Sequence, residues 1–159
     1  MPEGSPAQSK RDTWMSRCTP PFYSRRTAGA PAVQSAAVFE DVLAANRSFY
    51  DAFEARDLDR MADVWERSER IVCIHPGWPL LRGWDDVMRS WKALFEGPQH
   101  LQFILTNEVA TVQESMAWVT VDENLLDTGT GGTVAAVNLF AFDGTSWRLV
   151  SHHGSGIAG

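Results

Sequence analysis

Apolar positions in this chain recur with a helical period before residue 97 and with a strand period after it. A first helix is predicted from position 36 to about Arg56, because apolar residues recur there every three or four positions: Val38, Val42, Ala45, Phe49 and Phe53. Asp57 can cap a second, short helix. A third helix is predicted from about Gly83 to Glu96, since Gly97-Pro98 stops the chain there.

Strands account for the rest of the pattern. A short apolar strand, Arg70 to His75, precedes the third helix, and four longer strands are predicted at 99–112, 115–126, 133–142 and 146–155. Residues 127–132 form a glycine-rich turn, and Asp143-Gly144-Thr145 is a hairpin signal. Helices followed by a run of antiparallel strands predict an α+β fold. We expect three N-terminal helices over the concave face of a curved, cone-shaped antiparallel or mixed sheet.

The first 34 residues differ in composition from the remainder. They mix Pro, Ser, Gly, Arg and Gln without periodicity, which is typical of a segment that cannot bury enough surface to offset chain entropy. We predict a disordered extension at 1–34 and one domain at 35–159. The extension is basic although the whole chain has a formal net charge of −6. The domain is therefore acidic and a poor match for nucleic acid or an anionic membrane.

Cysteine usage and hydropathy indicate a compartment. Cys18 and Cys73 make no disulfide framework and are interpreted as free thiols. No run of about 18 apolar residues occurs, so a cytoplasmic location is predicted. Glycine-rich phosphate loops, nucleophile elbows and zinc-binding patterns are also missing from the sequence, and we predict neither a cofactor nor a metal.

The densest site signal begins at the end of the short strand. His75 is followed by a Pro/Gly loop that carries Trp78, and Trp84 lies in the first turn of the third helix. A strand end followed by a helix start is a usual place for the mouth of a pocket. His75 could act as an acid or base because imidazole titrates near neutral pH, or it could merely end the strand.

Polar residues within the long strands give further candidates. His152 and His153 point to opposite faces, so at most one faces a cavity. Matching faces with Trp147 and Leu149 groups His153 with apolar partners. Asp122 and Asn124 share a face with Trp118. There desolvation would raise the pKa of the Asp122 carboxyl, unless the face is wet or lies at an interface. Asn138 lies in an apolar strand and could hold a ligand carbonyl.

A set of motifs runs along the domain: Phe49-Tyr50-Asp51-Ala52-Phe53, Asp57-Leu58-Asp59, His75-Pro76-Gly77, Gly83-Trp84 with Val87 and Ser90-Trp91, Ala117-Trp118-Val119, Asn138-Leu139-Phe140 and the ending Trp147-Arg148-Leu149-Val150-Ser151-His152-His153-Gly154-Ser155. Together these motifs resemble the SnoaL-like branch of the nuclear transport factor two-like superfamily. The likeness covers about residues 36–157.

The resemblance implies a cone-shaped α+β barrel with a central pocket, and homodimers that form through the outer sheet face. The superfamily includes ketosteroid isomerases, polyketide cyclases and dehydratases, but also the association domains of calmodulin-dependent kinases, which are not enzymes. A comparison with those association domains places His152 inward, and we expect that orientation. The likeness also implies that Tyr50 offers its phenol to the cavity, with Phe49 competing for that position.

Our leading hypothesis is a protein that binds a small apolar or carbonyl-bearing molecule. If it is an enzyme, it is a cofactor-independent lyase (a dehydratase), isomerase or cyclase. His75 is then the acid or base, assisted by His152 or Asp122. The predicted substrate-binding residues are Asn138, Trp78, Trp84, Trp118, Tyr50, Asn124 and His153. The alternative is a non-catalytic domain for ligand sensing or association.

Overall fold

A computed structural model describes residues 35–126 and 132–157. Its elements are α1 (Ala36–Ala55), α2 (Leu58–Val64), β1 (Val72–Ile74), β2 (Leu81–Arg82), α3 (Gly83–Glu96), β3 (Phe103–Gln113), β4 (Met116–Leu125), β5 (Thr133–Phe142) and β6 (Trp147–Gly156). The predicted extension at 1–34 lies outside the described residues, as does most of the predicted glycine-rich turn. No helix within the described ranges is long and apolar enough to cross a membrane.

The six strands form one mixed sheet in the order β2-β1-β6-β5-β4-β3. β1 runs parallel to β6, and the other neighbours are antiparallel. β2 and β3 are the two edges, so the sheet does not close on itself. Helices on one face of a mostly antiparallel sheet confirm the predicted α+β class.

Local chemistry explains where the helices begin and end. α1 stops at Arg56, which adopts the left-handed conformation at φ 54°. The side chain of Asp57 accepts a hydrogen bond from the backbone N–H of Arg60 at 3.0 Å and so caps α2. Asp85 and Asp86 occupy the first turn of α3, where the helix dipole favours negative charge.

The core lies between the helices and the inner face of the sheet. From β4 this face presents Ala117, Val119, Val121 and Glu123, because side chains alternate along a strand. Phe49 of α1 and Trp91 of α3 are fully buried and contact edge to face, with 5.5 Å between ring centroids.

The outer face of the sheet carries the alternate residues. Val109, Thr120, Val137 and His153 stand opposite one another across β3, β4, β5 and β6. Val109 is 57% exposed and Val137 is 38% exposed. The sheet therefore presents two exposed valines, separated by Thr120, that the described part of the chain leaves uncovered.

Candidate functional site

A cavity of about 270 Å³ opens between the helices and the inner face of the sheet. Its polar lining comes from His75, His152 and Glu123, with Gln99 as a further polar residue. The apolar lining consists of Phe53, Pro76, Trp78, Leu94, Leu101, Phe103, Leu125 and Val134. An apolar enclosure with a few converging polar groups is typical of a small-molecule site.

His75 follows β1 and begins a tight turn. The N–H of Trp78 donates to the carbonyl of His75 at 2.9 Å, and Gly77 has φ 79°. Proline followed by glycine at the two central positions suits a type II turn, which needs a positive φ at its third residue. The turn places Trp78 beside the histidine, with 5.2 Å between the ring centroids. Trp78 is 41% exposed and stands at the mouth of the cavity.

The hydrogen bonds of His75 indicate its tautomer. Its Nε2 lies 2.9 Å from the hydroxyl oxygen of Ser90, and that hydroxyl donates its one hydrogen to the carbonyl of Val87 at 2.7 Å. The serine can then only accept, so Nε2 carries the hydrogen and Nδ1 is unprotonated. Burial lowers the pKa of His75 to about 4, so the imidazole is neutral at physiological pH.

His152 faces inward from β6, and His153 faces outward and is exposed. The Nδ1 of His152 lies 2.7 Å from Oδ1 of Asn138 on the neighbouring strand. Desolvation, with smaller contributions from His75 and His153, lowers the pKa of His152 to about 3. The centroids of the His152 and His75 rings are 6.4 Å apart, so both neutral imidazoles border the same space.

Glu123 supplies the carboxyl of the cavity and was missed by the sequence analysis. It is only 5% exposed, and its Oε1 accepts a hydrogen bond from the Tyr50 hydroxyl at 2.7 Å. Burial raises the pKa of Glu123 to about 7, and the hydrogen bond from Tyr50 opposes that shift. Desolvation and the nearby Glu123 hold the pKa of Tyr50 well above its usual value. The phenol therefore stays protonated as a donor.

A buried amide network connects these groups behind the cavity. The Nδ2 of Asn138 donates to Oδ1 of Asn46 at 2.8 Å and to the Tyr50 oxygen at 3.2 Å. Asn46 in turn donates to Glu108 at 2.7 Å. Asn138 and Asn46 are fully buried, and Asn138 is not among the residues that line the cavity. Both amide hydrogens of Asn138 are thus engaged by the protein itself.

The remaining predicted site residues lie elsewhere. Trp118, Asp122 and Asn124 are on the outer face of β4, where Asp122 accepts from Asn107 at 2.7 Å and Asn124 donates to the carbonyl of Ile104 at 2.8 Å. Trp84 packs under the guanidinium of Arg67, 5.4 Å from its ring centroid, outside the cavity. The structure therefore gathers His75, His152, Asn138, Tyr50 and Trp78, and separates them from Asp122, Asn124, Trp118, Trp84 and His153.

Metal ligation has no support in the described ranges 35–126 and 132–157. No three His, Cys, Asp or Glu side chains come close enough there to hold an ion. Cys73 is buried without a disulfide partner, and burial holds the pKa of its thiol well above the usual range. The cavity's own polar groups are two imidazoles, one carboxyl and the amide of Gln99.

Fold and cavity together define a protein of the NTF2-like α+β class. A SnoaL-like domain model matches residues 42–159. Most of the chain is covered by this match, so the protein belongs to the SnoaL-like domain family.

Many solved structures are similar to this chain, and two of them share about a third of its sequence. A candidate dehydratase of the NTF2-like family from Streptomyces avermitilis shares 32% identity over 77% of this chain and 98% of its own, with a TM-score of 0.72. A candidate calcium/calmodulin-dependent protein kinase type II association domain from Thiobacillus denitrificans shares 32% identity over 73% of this chain and 94% of its own, with a TM-score of 0.67.

The curated relative is the F-box protein SKIP8 of Arabidopsis thaliana, which is 31% identical over 115 residues. The alignment covers 72% of this chain but 48% of the relative, so the chain spans about half the length of that protein.

Proposed function

We propose that the protein binds a small, largely apolar molecule and catalyses a proton transfer on it without a cofactor, as a dehydratase or isomerase does. The observation that carries this proposal is the Glu123 carboxyl, enclosed in an apolar cavity and held by Tyr50 at 2.7 Å. General acid–base catalysis works best when the pKa of the catalytic group lies near the working pH. Burial brings the pKa of Glu123 to about 7.

The sequence suggested His75 as the acid or base. This proposal assigns that role to Glu123 instead. An imidazole whose pKa has fallen to about 4 is a weak base near neutral pH. His75 and His152 instead line the cavity as neutral imidazoles and orient the ligand. Asn138 positions His152 rather than holding a ligand carbonyl, because the protein engages both of its amide hydrogens.

The chemistry needs one carboxyl that both accepts and returns a proton. The Glu123 carboxylate removes a proton from a carbon next to a ligand carbonyl, and the resulting acid gives it back. Return to another carbon atom is isomerisation, and return to a departing hydroxyl oxygen releases water. The similarity to a candidate dehydratase at 32% identity supports this class of reaction.

Deuterium exchange tests the proposal without knowledge of the natural substrate. The protein is incubated in D₂O with cyclohexanone and with 3-hydroxycyclohexanone, and NMR follows deuterium entering next to the carbonyl and the formation of cyclohexenone. We expect rates above the buffer reaction and a loss of about 100-fold or more in Glu123→Gln.

Asp122→Asn is the matched control for this test, since it makes the same chemical change one residue away on the outer face. The control should keep the wild-type rate. Exchange at the buffer rate with the folded wild-type protein would contradict the proposal, as would full activity in Glu123→Gln.

A second candidate function, self-association, is favoured by the outer sheet face. The exposed valines at 109 and 137 lie in one cross-strand row on either side of Thr120, and exposed apolar side chains on a sheet face suit an interface between two copies of the chain. The similarity to a candidate kinase association domain supports it. Light scattering at several concentrations tests it: a homodimer gives twice the chain mass, and a mass of one chain at every concentration would contradict it.

A further inference from the structure

The hydrogen atoms of the buried amide network can be assigned one by one. Nδ2 of Asn46 donates a hydrogen bond to Oε1 of Glu108 at 2.7 Å, and an amide nitrogen can only donate. Asn46 therefore turns its Oδ1 toward Asn138, whose Nδ2 donates to it at 2.8 Å. Oδ1 of Asn138 is then the atom that meets His152, and a carbonyl oxygen carries no hydrogen. Nδ1 of His152 must therefore be the donor.

A second set of hydrogen bonds, through Tyr50, holds Asn138 in the same orientation. The Tyr50 hydroxyl gives its one hydrogen to Glu123, so its oxygen accepts the other amide hydrogen of Asn138 at 3.2 Å. If the amide group of Asn138 were flipped, its carbonyl oxygen would face the oxygens of Tyr50 and Asn46, which are also acceptors, and no hydrogen bond could form. Two carboxylates, Glu108 and Glu123, thus terminate the network and align every donor in it.

A neutral imidazole has one protonated and one bare nitrogen, so a hydrogen at Nδ1 leaves Nε2 of His152 bare. His152 lines the cavity, and no residue in the described ranges hydrogen-bonds its Nε2, which is therefore the ring nitrogen left for a ligand. We propose that the chain Glu108–Asn46–Asn138 sets the tautomer of His152, so that the cavity selects a neutral molecule that offers a hydroxyl group as a hydrogen-bond donor. This inference rests on the proposed function of the cavity and adds the class of ligand that the cavity binds.

The charges of the lining exclude the obvious competitor, an anionic ligand. Among the described residues, the cavity wall contains no lysine or arginine, and its one ionisable carboxyl would repel a carboxylate or phosphate. Desolvation of His152, which lowers its pKa to about 3, keeps this ring from becoming a cation that could attract one. A neutral ligand with a hydroxyl group satisfies the bare nitrogen without burying an unpaired charge.

NMR of protein labelled with ¹⁵N-histidine reads the tautomer directly, because protonated and bare imidazole nitrogens have different shifts. In the ligand-free wild-type protein we expect His152 to be protonated at Nδ1. Asn138→Leu removes the acceptor at nearly constant volume, and His152 should then shift toward the Nε2-protonated form. Asn138→Asp keeps an acceptor and should preserve protonation at Nδ1.

Binding of a matched pair of probes then tests the ligand class. Cyclohexanol can donate a hydrogen bond and cyclohexanone can only accept one, although their sizes are similar. At about pH 8.5, where Glu123 with its pKa of about 7 is ionised, the wild-type protein should bind the alcohol up to about tenfold more tightly. Asn138→Leu should reverse the preference, because Nε2 then carries a hydrogen.

Each outcome decides a different point. Wild-type His152 protonated at Nε2, or an unchanged tautomer in Asn138→Leu, overturns the assignment of the network. Equal or stronger binding of the ketone by the wild type, or no binding of either probe, overturns the ligand class. The deuterium-exchange rate reports separately on Glu123, so a failure of this inference is distinguishable from a failure of the proposed reaction.

Discussion

Glu123 and Asp122 are neighbours on β4 whose carboxyls have different surroundings. The side chain of Glu123 points into the enclosed inner face, and that of Asp122 bonds Asn107 on the outer face. Strand alternation in the sequence correctly separates the two sets of side chains, but it does not say which set faces inward. The presence of Trp118 favoured the face of Asp122 as the cavity lining. In the structure the inner face of β4 instead carries small Ala and Val side chains, which leave room for the helices.

Replacing Glu123 with Gln should change how stability depends on pH. Burial raises the pKa of Glu123 from 4.5 to about 7 in the folded state, so between these values the folded protein binds more protons than the unfolded one. The contribution of Glu123 to the free energy of unfolding is fully present below pH 4.5 and is lost as the pH rises through 7. Relative to Glu123→Gln, the wild-type free energy of unfolding should fall by on the order of 2 kcal/mol between pH 5 and 8.

Urea denaturation at several pH values measures this difference. Asp122→Asn is the control and should not reproduce the effect, because its carboxyl lies on the outer face. A difference between the wild type and Glu123→Gln that stays constant with pH would show that the carboxyl is not desolvated.

His152 gives the opposite dependence. Burial lowers the pKa of His152 from 6.5 to about 3. Its contribution to the free energy of unfolding is therefore fully present above pH 6.5 and is lost as the pH falls toward 3. The stability advantage of the wild type over His152→Gln should shrink by on the order of 2 kcal/mol between pH 7 and 5. His153→Gln changes the exposed neighbour and should show no such trend in the same denaturation series. Parallel curves for the wild type and His152→Gln would refute the prediction.

The hydrogen-bond network behind the cavity was not predictable from sequence. Asn46 and Glu108 are separated by 62 positions, and Asn46 and Asn138 by 92. Neither pair has a spacing signal, because each contact depends on how α1 lies across the sheet. The one available hint was a buried asparagine within an apolar strand. It indicated that Asn138 needs partners but not that the partners would be protein groups.

At the scale of elements, the sequence predicted most of what is local. The helix limits and the β5–β6 hairpin were correct because caps, stop signals and turn residues are encoded within a few positions. β2 was missed, since Leu81–Arg82 is too short to show a period and forms only by pairing with β1. Strand neighbours farther apart, such as β1 beside β6, depend on tertiary packing and were not predicted.

The hairpin between β5 and β6 should be sensitive at Gly144. This residue has φ 102°, a region that side chains rarely adopt, so Gly144→Ala should cost about 1–2 kcal/mol although nothing blocks the added methyl. Gly156→Ala is the control, because Gly156 has open space and no positive φ. Its cost should be within about 0.5 kcal/mol. Equal costs in urea denaturation would show that backbone strain at the turn is not decisive.

At the scale of the whole molecule, the two proposed functions use opposite faces of one sheet. Its inner face, with the helices, encloses the cavity that contains Glu123, His75 and His152. Its outer face presents the row that includes Val109 and Val137. Changes on the outer face should therefore affect association without removing the polar groups of the cavity, and this separation makes the two proposed functions independently testable.

The outer face leads to a prediction about oligomeric state. Val137→Lys places a charge in the centre of the exposed row, where burial against a second copy would leave that charge unpaired. The dissociation constant of the homodimer should rise about tenfold or more, measured by light scattering across a dilution series. Leu80→Lys is the matched control, since Leu80 is 37% exposed, close to the 38% of Val137, but lies in the loop before β2. Equal masses for the two variants at every dilution would place the interface elsewhere. Because Glu123 lies on the opposite face, deuterium exchange by the dissociated Val137→Lys protein would further show whether one copy is sufficient for the reaction.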